Sequence, residues 1–448
     1  MRRHLLVLLI ILVSFGSKAQ VISNSPFSYY GIGEVGGLDH AVAIGMGNST
    51  STMLDSSVVN FYNPASYNLL AKGQPLFSIS GSSRLSTYTE NGSSNFNSVT
   101  SIQHFAMAFP IKEHWGLAFG LKPYSRKGYE FTERVAVGTD SLKYRYFGTG
   151  GINEVFLGLS SNIFKLGSTR MAVGANLGYL FGSSTNSRSS ALITGTNEIT
   201  GGVDHRAFRA RSFHYDLGTY ITHDFSKTHS LTLAATADLQ QNLNGTFDYG
   251  RFFAANVEDP ISYDTLQYIG DTANRITTAS TINIGLRYVF TRQANEKENK
   301  RLNSQLAVHV NYGMSNWSNF NAPFDSSGIN YLNTNKYTIG FEYTPEVEMM
   351  KSGGKTRFFE NIHYRLGGYY YSLPYATNGV QVTDFGTTFG FGIPITIQRS
   401  VSSVNFGFSY GQRGISDQNA LREQYYGINL GISIAPGADR WFVKRRLN

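Results

Sequence analysis

Two short motifs in the chain have the spacing of chemistry. Gly31-Ile32-Gly33-Glu34-Val35-Gly36 fits G-x-G-x-x-G, the turn that lays a dinucleotide pyrophosphate on a helix N-terminus. That reading requires a strand before the motif and a helix after it, and neither surrounds these residues. Gly407-Phe408-Ser409-Tyr410-Gly411 fits G-x-S-x-G, the elbow that raises a serine nucleophile on a sharp strand-to-helix turn. Here Ser409 sits inside an alternating strand pattern that leaves no room for such a turn, so no catalytic residue is expected. Ionisable residues scattered through the same patterns are Lys122, Glu154, Arg170, His214, Asp216, Asp238, Arg287, His309, Glu342, His363 and Arg365. None forms H-x-x-x-H or H-E-x-x-H, and no metal site is expected. The chain has no Cys, which removes thiolate ligands, a thiol nucleophile, disulfides and a lipid anchor on an N-terminal cysteine. Without a nucleotide, metal or other cofactor to hold, these residues read as ion pairs that fill an interior.

The elements that position them are strands. From about residue 75 onward, large apolar residues alternate with small or polar ones. Trp115, Leu117, Phe119 and Leu121 alternate with Gly116, Ala118, Gly120 and Lys122. Ile282, Ile284, Leu286, Tyr288 and Phe290 do the same, as do Tyr426, Ile428, Leu430, Ile432 and Ile434. Successive side chains of a strand point to opposite faces. One face is therefore large and apolar, while the other carries Gly, Asn, Thr and occasional charge. A soluble sandwich would bury the apolar face against a second sheet, whereas a membrane barrel turns it to lipid and lines its lumen with the polar face. The runs reach the roughly ten residues that a tilted strand needs to cross a bilayer, and Tyr and Phe gather near their ends.

The connections give a strand count. Short turns are expected at 111–114, 165–169, 226–230, 293–300, 346–355 and 399–402. Longer polar stretches lie at 90–97, 126–149, 183–206, 244–275, 314–333, 373–380 and 413–420. Six turns and seven loops join fourteen antiparallel strands, with the turn-and-loop asymmetry of an outer-membrane barrel. The fold class is thus all-β, a transmembrane barrel over residues 75–435.

Composition agrees. Charged residues make up 15% and aromatics 14% of 448 residues, with 47 Gly. Soluble domains run nearer a quarter charged. The formal charge is +8, with no dense basic groove for nucleic acid. Mean hydropathy is −0.21, which does not suit a bundle of membrane helices. Arg2, Arg3 and His4, the apolar run 5–15 and Ser17-Lys18-Ala19 form a secretory signal pattern with cleavage expected after Ala19. Eleven residues, ten of them apolar, are too few to span a bilayer. A basic tail, residues 436–448, follows the last strand.

Residues 20–74 read differently, as a Gly-, Ser- and Asn-rich segment with short apolar pieces. It contains Asp55-Ser56-Ser57-Val58-Val59-Asn60-Phe61-Tyr62-Asn63-Pro64-Ala65. Here the chain resembles the FadL-type outer-membrane transporters of hydrophobic compounds, in which an N-terminal hatch with an Asn-Pro-Ala motif plugs a fourteen-stranded barrel. The resemblance assigns that motif to Asn63, Pro64 and Ala65. It also implies a side door at a kink in the third strand, where this chain carries Pro123, a residue that cannot donate to a ladder. The starting stretch from Ser25 to Gly33 and the closing stretch from Asp439 to Arg446 are similar to the Bacteroidota branch of the family, some of whose barrels serve protein secretion.

The resemblance implies passive uptake of a fatty-acid-like hydrophobic molecule by a monomer in outer-membrane lipid. Ligand contacts would come from Phe27, Tyr29, Tyr30 and Phe61 of the hatch and from Phe156 and Tyr220 of the wall. The polar lumen points instead to the alternative, a non-transporting barrel acting as a secretion or surface-complex subunit with protein partners.

Overall fold

A computed structural model describes residues 24–36, 40–70, 75–111, 114–195, 197–254, 263–293, 304–325, 328–345, 362–395, 402–417 and 419–435. The expected signal segment, the basic tail and most of the short turns at 293–300, 346–355 and 399–402 lie outside the described residues.

Alternation along the chain produces one antiparallel sheet. A short strand, β1 (Glu34–Val35), precedes the wall. The wall then runs through β2 (Leu76–Glu90), β3 (Ser93–Pro110), β4 (Trp115–Val137), β5 (Asp140–Leu166), β6 (Thr169–Thr194), β7 (Asn197–Asp224) and β8 (His229–Asp238). Next come β9 (Asn242–Ala254) and β10 (Tyr263–Thr277). They are followed by β11 (Thr281–Arg292), β12 (Ser304–Ser315), β13 (Thr334–Thr344), β14 (His363–Thr377), β15 (Val380–Ile395), β16 (Ser402–Gly414) and β17 (Arg422–Ile434). β17 pairs with β2 from Arg422↔Thr89 to Ile434↔Phe77, and β8 pairs with β11 from Asp238↔Thr281 to His229↔Phe290. The barrel is therefore closed by fourteen strands, β2–β8 and β11–β17. Closure joins the strands into a ring, as a bilayer requires, although β3 and β4 pair over only part of their length.

The two extra strands form a hairpin outside that ring. β7 changes partner along its length: Asp216–Asp224 pair with β8, while Gly201–Ala210 pair with β9. The long strands β4 to β7, with β9 and β10, thus extend one side of the barrel well past the membrane belt.

This corrects four of the expected loops. Residues 126–149 and 183–206 are the far halves of β4 to β7, 244–275 is the β9–β10 hairpin, and 373–380 belongs to β14, a turn and β15. Beyond the belt both faces of a strand meet water, so the apolar alternation vanishes and the residues read as loop. The expected loop 90–97 is a two-residue hairpin. Asn91 and Gly92 have φ of 49° and 76°, the left-handed pair that an Asn-Gly hairpin turn adopts. Asn378 and Gly379 repeat it at 52° and 75°. The described residues of 316–333 and 415–421 form no strand, and the first stretch carries a 3-10 turn, Trp317–Asn319.

The facing of side chains follows the alternation. Phe119, Leu121, Leu157, Leu177, Ile284, Leu366 and Ile428 are exposed around the outside, whereas Ala118, Phe156, Asn176, His309 and Asn429 are buried within. No described helix is long and apolar enough to cross a membrane.

Candidate functional site in the barrel lumen

The N-terminal segment occupies the lumen. Its described residues include one helical turn, α1 (Ala41–Gly45), and 3-10 turns at Pro26–Tyr29 and Pro64–Leu69. It buries one small apolar cluster of its own, Val42, Ala43, Met46, Met53 and Val58, and otherwise docks on the wall. Glycines on the inward face of the strands make that docking possible. A Cβ on Gly116 of β4 would overlap the Tyr67 carbonyl. One on Gly174 of β6 would strike Pro64, one on Gly367 of β14 would strike Gly47, and one on Gly407 of β16 would strike the Ala41 carbonyl. Backbone thus lies directly on backbone around the lumen.

Hydrogen bonds fix the same contacts. Asn63 is fully buried. Its Oδ1 accepts from the Ala65 N–H at 3.2 Å, and its Nδ2 donates to the Ser51 carbonyl at 2.8 Å. It caps the turn that Pro64, with its preset φ, begins. Asn60 Nδ2 donates to the carbonyls of Thr50 and Met53. Tyr67 donates to Asn176 Oδ1 at 2.8 Å, and Asn176 Nδ2 donates to the Phe61 carbonyl at 3.0 Å. On the opposite wall Gly47 N–H donates to Thr388 Oγ1 at 2.9 Å, and Ser49 and Thr338 share a hydrogen bond of 2.9 Å. His40 stacks on His104 of β3, ring centroids 5.1 Å apart. Burial pushes its pKa well below the usual histidine value, and the neighbouring His104 and Arg365 add to the effect.

A cavity of about 500 Å³ lies on the loop side of this segment. Phe27, Tyr30, Phe61, Tyr62, Tyr124 and Phe320 are among its aromatic lining, and its floor is charged. Lys122 Nζ is 3.4 Å from Glu154 Oε2. His214 Nδ1 lies 3.0 Å from Glu154 Oε1, and its Nε2 lies 3.1 Å from Asp238 Oδ1. Asp216 accepts from Asn176 at 2.9 Å. Ligand atoms of Glu154, His214 and Asp216 lie within 4.8 Å of one another. Both nitrogens of His214 are already engaged, however, and the Lys122 ammonium sits beside the carboxylates. A cation there would meet repulsion, so the group is an ion-pair network.

A second cavity of about 320 Å³ lies on the turn side, lined by Asp55, Leu69, Arg170, Tyr220, Arg287, Glu342 and His363 among others. Near it, Arg365 Nε donates to Glu342 Oε1 at 2.8 Å, and His309 pairs with Thr52 at 3.0 Å. The eleven scattered ionisable residues thus separate into two groups, one on each side of the segment.

The six expected ligand contacts do not share one pocket. Phe27, Tyr30 and Phe61 line the larger cavity, and Tyr220 lines the smaller. Phe156 is buried behind Phe61, centroids 5.9 Å apart. Tyr29 packs instead on Tyr129 and Phe131 of the projecting wall. Ser409 pairs with Thr388 and Gly427 in an unbroken ladder. Gly31, Gly33 and Gly36 all have positive φ. They bend the chain so that β1 can lie against β4.

Pro123 is on β4, the third strand of the ring, and the wall changes there. β3 and β4 pair only from Pro110↔Gly116 to Phe105↔Leu121. Just past that last pair both strands are irregular. The β2–β3 register shifts between Ser80 and Gly81, which leaves Gln103 as the extra residue. The β4–β5 register shifts between Pro123 and Ser125. A bulge bends its strand, and two facing bulges part these neighbours. β1 adds to the freed edge of β4, Glu34↔Arg126 and Val35↔Ser125. Arg126 reaches across to hydrogen-bond Gln103, and Arg413 of β16 binds Glu34 from across the lumen. Sequence reasoning found Pro123 but missed Gln103, Arg126 and β1. Nothing in a lone Gln or Arg signals a bulge, although three closely spaced glycines could have marked the bend before β1.

Comparison with solved structures places this architecture. The chain superposes on a FadL homologue from Pseudomonas aeruginosa with a TM-score of 0.51 and 11% identity, over 89% of this chain and 98% of that one. The toluene transporter TodX from P. putida gives 0.52 and 13% identity, over 88% and 98%. These likenesses establish the FadL-like outer-membrane barrel fold. No curated protein matches the sequence. A family model described as BamG matches residues 1–448.

Proposed function

The chain belongs to the BamG family, and from that membership we propose that it is a non-transporting barrel subunit of the outer-membrane β-barrel assembly (BAM) complex. The family name points to that complex. The observation that carries the reading is the seating of residues 40–70 on the glycine faces of the wall. A segment whose backbone lies on glycines of the wall, and whose buried hydrogen bonds to the wall run through side chains such as Asn176, Thr338 and Thr388, braces the barrel from inside. It leaves the two cavities on opposite sides of a packed layer, whereas a channel needs them joined. In this reading residues 1–19 are the export signal, residues 20–74 a fixed hatch and Asn63-Pro64-Ala65 its keystone.

The test is affinity purification of the tagged full-length chain from its own outer membrane in mild detergent. Recovery of the assembly complex in stoichiometric amount supports the reading, and recovery of the barrel alone argues against it.

Passive uptake of hydrophobic compounds is the second reading. The aromatic cavity and the parted wall beside Pro123 favour it. In that case Phe27, Tyr30 and Phe61 would touch the ligand, and deleting residues 63–65 would change its uptake.

A further inference from the structure

The turn-side cavity is lined by two arginines, Arg170 and Arg287. Among the described residues neither makes a hydrogen bond or an ion pair. Arg287 is half-buried, and its Nε is hidden from solvent without a partner. Arg170, the second residue of β6, is exposed. A guanidinium cannot shed its proton to escape burial, as a lysine can. Its buried donors need an opposite charge or hydrogen-bond acceptors.

The register brings the two together. Arg170 lies opposite Thr222 of β7, Thr222 opposite Thr232 of β8, and Thr232 opposite Arg287 of β11. Four neighbouring strands thus present Arg, Thr, Thr and Arg, and all four residues line the cavity. Three strand spacings put the arginine Cα atoms about 14 Å apart. The two long side chains share one cavity of about 320 Å³ from either side of the threonines. The hydroxyls of Thr222 and Thr232 share one hydrogen bond of 2.8 Å. That bond uses one of their two hydrogens and leaves the other to donate.

The acidic residues of the cavity do not cancel this charge. Glu342 is taken by Arg365 at 2.8 Å. Asp55 accepts from the Ser57 N–H and hydroxyl, each at 2.9 Å, and pairs with neither arginine. One positive charge remains in excess.

We propose that Arg170 and Arg287 hold a phosphate group between them. A carboxylate has two oxygens, and a single guanidinium fork occupies both. A phosphate carries oxygens on every side, so it takes a fork from each arginine and a hydroxyl from the threonine pair. The ends of the ring, Phe77 and Ile434, lie on the same side as the short turns, the side that faces the periplasm in an outer-membrane barrel. The phosphate therefore comes from the periplasm, as the free ion or as a phospholipid headgroup. Asp55 and Leu69 of the hatch line the same cavity, so the ligand sits against the underside of the hatch. The site is independent of whether the barrel is a subunit or a channel.

Isothermal titration of the full-length protein, in phosphate-free detergent buffer of fixed ionic strength, tests it. The titrants are inorganic phosphate, glycerophosphoethanolamine as a deacylated headgroup, and glutarate as the carboxylate control. Saturable binding of phosphate or glycerophosphoethanolamine is expected, and the tighter of the two names the source. Arg170→Gln and Arg287→Gln should each weaken it about tenfold or more, the cost of losing a charged hydrogen-bond donor. Arg275→Gln, exposed on β10, should leave it unchanged. Heat-modifiable mobility reports whether each variant folds. Arg170 is exposed, so its variant keeps the test open if Arg287→Gln fails to fold. Absence of saturable binding, or binding unchanged in the glutamine variants, would overturn the site. Glutarate bound as tightly as either phosphate compound would overturn the phosphate assignment in favour of an acidic polypeptide.

Discussion

At the scale of single residues, small side chains do what large ones do in a soluble core. Gly116 exists because the Tyr67 carbonyl lies where its Cβ would be. Gly116→Ala should therefore lower barrel stability by about 1–3 kcal/mol, the usual range for overpacking, read as an earlier loss of heat-modifiable mobility. Asn63→Ala strands the Ala65 N–H and the Ser51 carbonyl without their partner. A cost of about 1–3 kcal/mol is expected, with faster proteolysis of residues 40–70 as its signature. His40 supplies a pH dependence. Its pKa is lowered by burial, so the unfolded chain takes up a proton that the folded one refuses. Stability is full above the unfolded value of about 6.5 and declines as pH falls below it. A protease-protection profile should loosen from pH 7 to pH 5, and His40→Gln should flatten it. Of these residues, Asn63 and Pro64 stood out in the sequence through the resemblance to the Asn-Pro-Ala motif of FadL-type hatches, and the cap that Asn63 makes became visible only in the structure. The glycines could be read only as the small face of a strand, since what they make room for lies 49 (Tyr67 for Gly116) to 366 (Ala41 for Gly407) residues away in the chain.

At the scale of elements, the strands were legible wherever lipid touches one face and illegible where water touches both. The strand that begins with the alternation of Trp115–Leu121 runs on, through the bulge beside Pro123, into the polar remainder of β4, yet only its first part looks like a strand. The Asn91-Gly92 and Asn378-Gly379 turns carried a readable signal that the surrounding serines and threonines obscured. The β9–β10 hairpin was hidden for another reason: β8 pairs directly with β11, so the ring closes without it. Replacing residues 240–279 by a short turn should leave a folded, heat-modifiable fourteen-stranded barrel. Its thermal stability should be lower, because Leu243 and Ile276 are buried against Phe208 and Phe320. Loss of barrel folding on this deletion would show that the hairpin takes part in closure. The parted strands β3 and β4 belong to this scale too, since the gap depends on two facing bulges and only one contains a residue that announces itself.

At the scale of the whole molecule, the strand number, the lipid-facing belt and the inward polar face were all accessible from pattern, because a closed barrel repeats one physical rule in every strand. What the barrel does was not accessible in that way. The same fold serves hydrocarbon transporters of P. putida, and function resides in how the lumen and outer wall depart from the repeat. Here the lumen is filled by a segment bonded to strands on opposite sides of the wall, and among the described residues β3 and β4 pair over only part of their length. The filled lumen suits a barrel that serves as a subunit better than one that passes cargo, whereas the parted wall is the feature that a channel would use. The most direct measurement is the composition of the complex retained on a tagged full-length chain extracted in mild detergent. A stoichiometric assembly complex, together with unchanged uptake of hydrophobic compounds when residues 63–65 are deleted, is what the account predicts. A lone barrel whose deletion variant loses uptake would contradict it.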